Sequence, residues 1–355
     1  MEQFKDIKNI RKKVFRPYGK ILSESNFEEM VNDAKIMVQN LMNQKGVIGI
    51  TLSGGLSRGY GDELSEIDLI IYLEDDIHRQ WSIGMGPIPQ GDILWDGKYF
   101  DIKFLSFQEE ISKDWDLLKR WDASYQKILF DPLGKIADLL EQKDSIREED
   151  LKRKILSTAL DCCYLGVFVP QQWIKRGDPL AANQIINKAL MSLVDLIFLI
   201  NLEYPPYEKW ALNYSYSLKW LPKDWEVNIS NILIVKELSL EEAKRRCKLF
   251  NIVYNECWER IVGLDLKDLG PIEIKELQEL LFIAQNSPLP IEEFAAKFEL
   301  NSLSYEPIFK LTKIIEKNNK KFILFDIEKF QEQKEANFAD FLDWNKDLLE
   351  KLTLN

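Results

Sequence analysis

One stretch of the sequence, 49-GITLSGGLSRGYGDELSEIDLIIYLEDD-76, places a glycine turn and a polar segment between two apolar runs. Both runs, Val47–Leu52 and Ile67–Leu73, are short and rich in β-branched residues, which predicts two buried strands. Side chains alternate between the two faces of a strand, so we expect Glu66 and Asp68 to point to the same side. The sequence therefore predicts a pair of carboxylates at the start of the second strand.

A carboxylate pair of this kind repels itself unless a cation lies between the two groups. With oxygen ligands alone, that cation is expected to be Mg²⁺ or Mn²⁺. A third carboxylate, Asp101, lies in the second strand of a hairpin predicted around Asp96-Gly97. If that strand pairs beside Ile67–Leu73, Asp101 completes a triad, as a metal ligand or as the general base for an incoming hydroxyl.

The glycine turn supplies a second element of the predicted site. Gly54 and Gly55 have no Cβ, so their backbone N–H groups are able to approach a phosphate closely. Ser57 adds a hydroxyl donor and Arg58 a positive charge. A phosphate cradle beside metal-binding carboxylates suits in-line displacement on a nucleoside triphosphate.

Together these residues resemble the nucleotidyltransferase superfamily, which includes DNA polymerase beta and the antibiotic nucleotidyltransferases. The resemblance rests on Ser53-Gly54-Gly55, the phrase Leu56–Tyr60, the carboxylate phrase Ser65–Leu69, and Asp101. It implies an α+β fold, with an N-terminal nucleotidyltransferase-fold α/β domain that has a mixed sheet, followed by a helical C-terminal half. We expect three parts: a catalytic domain over 1–145, a helical substrate-side domain over 146–270, and a C-terminal helical module over 271–355.

The resemblance also implies an activity: transfer of a nucleoside monophosphate, AMP from ATP or the equivalent from another nucleoside triphosphate, to a hydroxyl of a small molecule such as an aminoglycoside or a lincosamide. Metal binding and catalysis are expected from three carboxylates: Glu66, Asp68 and Asp101. Contacts with the nucleotide are expected from five residues: Gly54, Gly55, Ser57, Arg58 and, from a weaker likeness in the helical region, Lys209. The family usually has Asp where this chain has Glu66, a change of one methylene in the ligand.

Two alternatives stay open at this point. One is a nucleotidyltransferase that modifies proteins, of the toxin–antitoxin type. The other is a catalytically weak nucleotide-binding protein, in which Glu66 marks decay of the metal site. The expected partners are a nucleoside triphosphate and a hydroxyl acceptor, and a homodimer is compatible with the sequence.

Composition limits the other classes of function. The 355 residues suggest two or three domains, and the charge sum of 47 − 58 = −11 disfavours a general nucleic-acid binder while permitting a cationic substrate. His78 is the single histidine, which excludes a histidine-rich metal site. The four cysteines form no C-x-x-C pair, as expected of a cytoplasmic protein with reduced thiols. The most apolar stretch, Ile185–Ile200, contains Lys188 and Asp195 and is shorter than the ~20 residues of a membrane span, so no membrane association is expected.

The remaining pattern is mostly helical. A loop is predicted over Asp75–Gly91, and Lys127–Phe130 is predicted to be a strand. Asp178-Pro179 is expected to cap and begin a helix that runs to about Leu202. Pro170 is expected to end the preceding helix. The other predicted helices are Asn26–Gln44, Phe107–Trp121, Arg147–Val169, Leu240–Val262, Ile272–Gln285, Pro290–Phe298, Glu306–Lys317 and Ile327–Leu352.

Overall fold

The computed structural model describes residues 10–263, 275–304 and 311–329. The chain divides into two compact units, residues 1–266 and 267–355. The predicted domain boundary at 145/146 falls inside the first unit, and the one at 270/271 falls outside the described residues. The three-domain division stays a prediction.

The first unit is built on a mixed five-stranded sheet with the order β3-β4-β2-β1-β5. β2 is antiparallel to β1 and parallel to β4, while β3 and β5 are antiparallel edge strands. The expected α+β class with a mixed sheet is therefore confirmed, including the hairpin between β3 and β4. The strands are β1 (Val47–Leu52), β2 (Ile67–Leu73), β3 (Gly91–Trp95), β4 (Lys98–Ser106) and β5 (Lys127–Phe130).

Both faces of this sheet are covered. Helix α1 (Phe27–Leu41) buries apolar side chains spaced three and four residues apart, and they join Leu69 and Ile71 of β2 in one core. The alternate residues of β2, Ile70 and Tyr72, point to the other face and join a second core. β2 is thus buried on both sides, and this explains its nearly continuous apolar sequence.

Several short helices connect the strands. They are α2 (Gly54–Ser57), α3 (Asp75–Gln80), α4 (Phe107–Ser112), α5 (Leu117–Tyr125) and α6 (Lys135–Asp144). The loop predicted over Asp75–Gly91 is wrong at its start, because Asp75–Gln80 is the helix α3. The chain kinks after it at Ile83 and Gly84, and Trp81 packs edge-on against Phe104. The single helix predicted over Phe107–Trp121 is two helices, and Asp116 caps the second by accepting a hydrogen bond from the Lys119 backbone N–H.

The rest of the first unit is helical. Its helices are α7 (Glu148–Cys163), α8 (Val169–Lys175), α9 (Pro179–Ile200), α10 (Glu208–Ser215), α11 (Trp225–Leu233) and α12 (Leu240–Gly263). The prediction that Pro170 ends a helix is wrong: Pro170 lies in the first turn of α8, where the N–H that proline lacks would have had no helical partner. A π-helical turn, Tyr164–Phe168, joins α7 to α8.

α9 is the central helix of this region. It begins as predicted, with the Asp178 side chain accepting a hydrogen bond from the Ala181 N–H at 3.0 Å and Pro179 in the first turn. Its 22 residues are long and apolar enough to cross a membrane by length and composition alone, and most of them are buried inside the first unit. α9 packs against α7, α8 and α12.

The second unit contains a small sheet with the order β6-β8-β7. Its described elements are α13 (Lys275–Asn286), β6 (Leu289–Pro290), α14 (Ile291–Ala295), β7 (Thr312–Lys317) and β8 (Lys320–Phe325). The helix predicted over Glu306–Lys317 is wrong from 312 onward. β7 and β8 form a hairpin there, because Asn318 and Asn319 both adopt positive φ, as a two-residue turn requires. The predicted helix Ile327–Leu352 lies outside the described residues from 330 on.

Asp195, on α9, gives a test of this packing. The pKa of the Asp195 carboxyl is raised to about 6, mainly by burial, with Lys154 acting to lower it and Glu208 to raise it. The unfolded carboxyl titrates near 3.8, so ionised Asp195 destabilises the fold as the pH rises from about 4 to above 6. Asp195→Asn is therefore expected to raise the free energy of unfolding at pH 7.5 by up to about 3 kcal/mol, and by much less at pH 4.

The measurement is urea unfolding followed by tryptophan fluorescence, since nine of the ten tryptophans lie in residues 1–266. The exposed Asp138 provides the matched control, and Asp138→Asn is expected to show little change at either pH. An Asp195→Asn effect of the same size at both pH values would contradict the prediction.

Candidate metal and phosphate site

Parallel pairing of β2 with β4 brings two of the predicted carboxylates together. Asp68 lies directly opposite Asp101 in the strand register. Side chains at paired positions of adjacent strands point to the same face of a sheet, so both carboxylates face the same side. The structure thus brings β4 beside β2, the arrangement on which a triad depended.

Glu66, immediately before β2, completes the group. Ligand oxygens of Glu66, Asp68 and Asp101 all lie within 4.8 Å of one another. Glu66 is exposed, whereas the other two are partly buried. Burial, together with the charge of Glu66, raises the pKa of Asp68 to about 6. Three oxygen donors that strain against one another in this way suit a hard divalent cation such as Mg²⁺ or Mn²⁺.

The sequence analysis missed a fourth member of this cluster. Lys103 lies two residues after Asp101 on β4, hence on the same face, and its Nζ is 2.7 Å from Asp101 Oδ2. Burial by itself would lower the pKa of Lys103, but its hydrogen bond to Asp101 and the nearby carboxylates outweigh burial and raise it. A positive side chain therefore neutralises part of the triad's charge. Period-two alternation along β4 was the available signal for it.

The glycine turn packs directly against the triad. Gly54 has a φ of +60°, and a Cβ at this position would lie 1.7 Å from Asp68 Oδ2. The Ser53 N–H also donates a 2.9 Å hydrogen bond to the Asp68 carbonyl. A side chain at position 54 would therefore displace the carboxylate. Glycine is required here for close approach as well as for its backbone angle.

The turn continues into the one-turn helix α2. A Cβ at Gly55 would lie 2.8 Å from the Tyr60 ring, so this backbone is also closely covered. Ser57 is buried, and its hydroxyl donates a 2.9 Å hydrogen bond to the Gly54 carbonyl. The hydroxyl predicted to meet phosphate thus holds the turn, and its contact with nucleotide stays a prediction.

Arg58 lies beneath the turn rather than in solvent. Its side chain is 6% exposed, and Nη1 donates to Asp122 Oδ1 at 2.9 Å. The guanidinium also lies 4.7 Å from the centre of the Trp121 ring. Arg58 pairs with Asp122 because the packing of α5 carries that carboxylate into its reach. A contact of Arg58 with phosphate stays a prediction.

Asp122 connects Arg58 to the carboxylate triad. Its charge contributes to the raised pKa of Asp68, so Asp122 lies close enough for the two to repel each other. Arg58 offsets that charge. Sequence reasoning missed Asp122 because only the tertiary packing of α5 brings it to the site.

Lys209 is not part of the carboxylate triad. It is exposed in the first turn of α10, with Nζ 5.9 Å from the centre of the Trp210 ring. The Trp210 ring in turn lies 5.0 Å from that of Tyr60, which covers Gly55. α10 therefore reaches the glycine turn through aromatic contacts, while a contact of Lys209 with phosphate stays a prediction.

Comparison with known proteins gives limited information. Residues 122–211, which run from α5 into α10, match a family described as a domain of unknown function, DUF4037. No curated protein matches the chain. Among solved structures the chain is similar to a nucleotidyltransferase-like protein from Exiguobacterium sibiricum, with 14% identity, coverage of 83% of this chain and 99% of that chain, and a TM-score of 0.38. The chemistry therefore has to be inferred from the site itself.

The packing of Gly54 on Asp68 gives a prediction. The Cβ in Gly54→Ala would force Asp68 out of the triad. We therefore expect this variant to bind Mn²⁺ at least tenfold more weakly, as measured by isothermal titration calorimetry. Gly59→Ala is the matched control, because Gly59 has a φ of +94° but nothing within 4 Å of its Cβ position. It carries the same kind of backbone strain and should keep the affinity. Equal losses in both variants would contradict the role of close approach.

Lys103 gives a second prediction. We expect Lys103→Met to tighten Mg²⁺ binding by about tenfold, since a unit charge a few ångström away is worth roughly 1–4 kcal/mol at an effective dielectric of 80–20. We also expect Mg²⁺ to raise the melting temperature of the unaltered protein, and Asp68→Asn to abolish that rise. Thermal melting across a Mg²⁺ series measures both effects. Weaker Mg²⁺ binding in Lys103→Met would show that Lys103 supports the triad rather than competing for it.

Proposed function

We propose that this protein is a metal-dependent nucleotidyltransferase that moves a nucleoside monophosphate, AMP from ATP in the first instance, to a hydroxyl of a small molecule. The observation that carries the proposal is the convergence of Glu66, Asp68 and Asp101 against the glycine turn at Gly54. Carboxylates that share a divalent cation beside a backbone able to approach phosphate are the equipment of phosphoryl and nucleotidyl transfer.

The triad fits a magnesium or manganese ion. Its donors are all carboxylate oxygens, and burial together with the charges of Glu66 and Asp101 keeps the pKa of Asp68 raised even with Lys103 in place. Glu66, Asp68 and Asp101 would hold the ion. When bound, it would neutralise charge on the triphosphate and on the departing pyrophosphate.

In the proposed reaction, the acceptor oxygen bonds to the α-phosphorus as the bond from that phosphorus to the bridging oxygen of the β-phosphate breaks. Pyrophosphate leaves with the electron pair, and Asp101 accepts the hydroxyl proton. Lys103, hydrogen-bonded to Asp101, is placed to stabilise negative charge on the phosphates. The backbone around Gly54 and Gly55 would orient the triphosphate, supported from below by the Arg58–Asp122 pair.

The nature of the acceptor rests on the resemblance alone, which favours an aminoglycoside or a lincosamide. The aromatic side chains that reach the turn, Tyr60 and Trp210, offer a stacking surface for a base or for an acceptor ring. A protein acceptor is the alternative within the same chemistry, and it uses the same triad.

A second candidate is a nucleotide-binding protein with weak or no catalysis. Two observations favour it: Lys103 already pairs with Asp101, and Glu66 replaces the shorter Asp of the family pattern. In that case nucleotide binds, and no transfer follows.

The test is pyrophosphate release by the purified full chain with Mg²⁺ or Mn²⁺, each of four nucleoside triphosphates, and a panel of aminoglycosides and lincosamides. We expect acceptor-dependent release that Asp68→Asn and Asp101→Asn reduce at least 100-fold. Asp138→Asn, an exposed carboxylate outside the site, is the matched control and should retain full activity.

Glu66→Asp separates the two candidates. If the longer side chain limits an active enzyme, Glu66→Asp changes the Mg²⁺-to-Mn²⁺ preference or raises the rate. Nucleotide binding without release, in both the unaltered protein and Glu66→Asp, would favour the binding protein. Labelling of a protein band from labelled ATP, with no small-molecule acceptor required, would favour protein modification.

A further inference from the structure

A large concavity lies in the first unit. It has a volume of about 1080 Å³ and is lined by residues 114–120, which include the start of α5, by residues 145–161 and by α9, and by residues 205–208. Glu66, Asp68 and Asp101 do not line it. The volume is slightly above the range of about 300–1,000 Å³ that is usual for small-molecule pockets. The cavity therefore needs an account of its own.

Its lining is strongly acidic. It contains three basic residues: Arg120, Arg147 and Lys154. It contains six carboxylates: Asp114, Asp116, Asp150, Asp161, Asp195 and Glu208. A net excess of three negative charges in one concave surface raises the local concentration of cations.

Protein contacts already use most of the basic groups. Arg120 donates to the carbonyls of Trp115 at 2.9 Å and Ser145 at 2.8 Å. Arg147 forms a two-pronged pair with Asp150, at 2.6 and 3.0 Å. Asp116 caps α5 and is satisfied by that backbone contact. The other four carboxylates carry the rest of the negative charge, and Lys154, which lowers the pKa of Asp195, offsets part of it.

Asp195 is the one whose position is hardest to explain by folding alone. It is partly buried on α9 between residues that are fully buried, such as Val194 and Leu196. Within the described part of the chain, no hydrogen bond or ion pair reaches its carboxylate. Lys154 offsets part of its charge, but burial still raises the pKa of the carboxyl, and a cation seated in the cavity would lower that cost further.

The same cavity also offers apolar surface. Trp115, Met191, Leu199, Pro205, Pro206 and Tyr207 contribute to it. Tyr207 is 46% exposed, and its ring packs edge-on against Trp121 at 5.8 Å, which fixes its orientation. An inorganic ion would make no contact with these apolar side chains. The mixture selects a molecule that joins positive charge to a hydrocarbon or aromatic frame.

We propose that this cavity binds a small organic cation, with an ammonium group beside Asp195 and Asp161 and an apolar frame against Tyr207 and its neighbours. The site is separate from the nucleotidyl-transfer site and does not depend on that proposal. Aliphatic polyamines and aromatic amines share this chemistry.

Isothermal titration calorimetry on the full chain tests it with three probes: tryptamine, its neutral analogue tryptophol, and spermidine. We expect saturable binding of tryptamine or spermidine, and at least tenfold weaker binding of tryptophol. The stronger of the two amines tells an aromatic from an aliphatic frame. Asp195→Asn and Asp161→Asn are each expected to lower the affinity for the amine that binds at least tenfold.

Two control variants keep the outcome decisive. Asp138→Asn removes the same charge from an exposed position outside the cavity, and Asp68→Asn removes it from the triad; both should bind the amine as the unaltered protein does. Because Asp195→Asn is expected to stabilise the fold, unfolding does not account for its loss of binding, and a thermal melt checks this.

Three results would overturn the proposal. They are the absence of binding by either amine, equal binding of tryptophol and tryptamine, and amine binding that Asp68→Asn removes while Asp195→Asn leaves it unchanged. The last would assign the cation to the triad.

Discussion

The candidate site depends on one constraint, the close packing of the Gly54 backbone against the Asp68 side chain. This contact joins the turn after β1 to the start of β2, and the parallel pairing of β2 with β4 then fixes Asp101 opposite Asp68. Carboxylates that repel one another are held together because strand pairing and a buried core set their positions. The destabilisation is local, and a divalent cation is the group that would relieve it.

Around this centre the protein balances charge in pairs. Lys103 offsets Asp101, and Arg58 offsets Asp122 from beneath the glycine turn. These pairs reduce the repulsion felt by Asp68 but leave its pKa raised. Burial and the neighbouring carboxylates thus still disfavour ionised Asp68, and a bound cation would offset both. Helix α5 is central to this balance because it carries Asp122 and its neighbour Trp121.

Much of the fold follows from local pattern. β1, β2, the β3–β4 hairpin, α1 and the capped start of α9 are all read correctly from apolar periodicity, turn residues and capping signals. The errors occur where tertiary context overrides local signals. Pro170 lies in the first turn of a helix that directly follows a π-helical turn. Residues 312–317 form a strand because they pair with β8. The glycines and prolines around Trp81 indicate a loop, but the contact of Trp81 with Phe104 holds its segment against the sheet.

The sequence by itself determined the carboxylate pair of Glu66 and Asp68, the glycine turn and the candidate third carboxylate, because each follows from the spacing of residues within one strand or one turn. Only the tertiary structure decided that Lys103 and Asp122 share the site, that Arg58 is buried beneath it, and that Asp195 faces an acidic cavity. These features join residues from separate elements. Their meeting depends on how helices and strands pack across the sheet, and no local pattern carries that information.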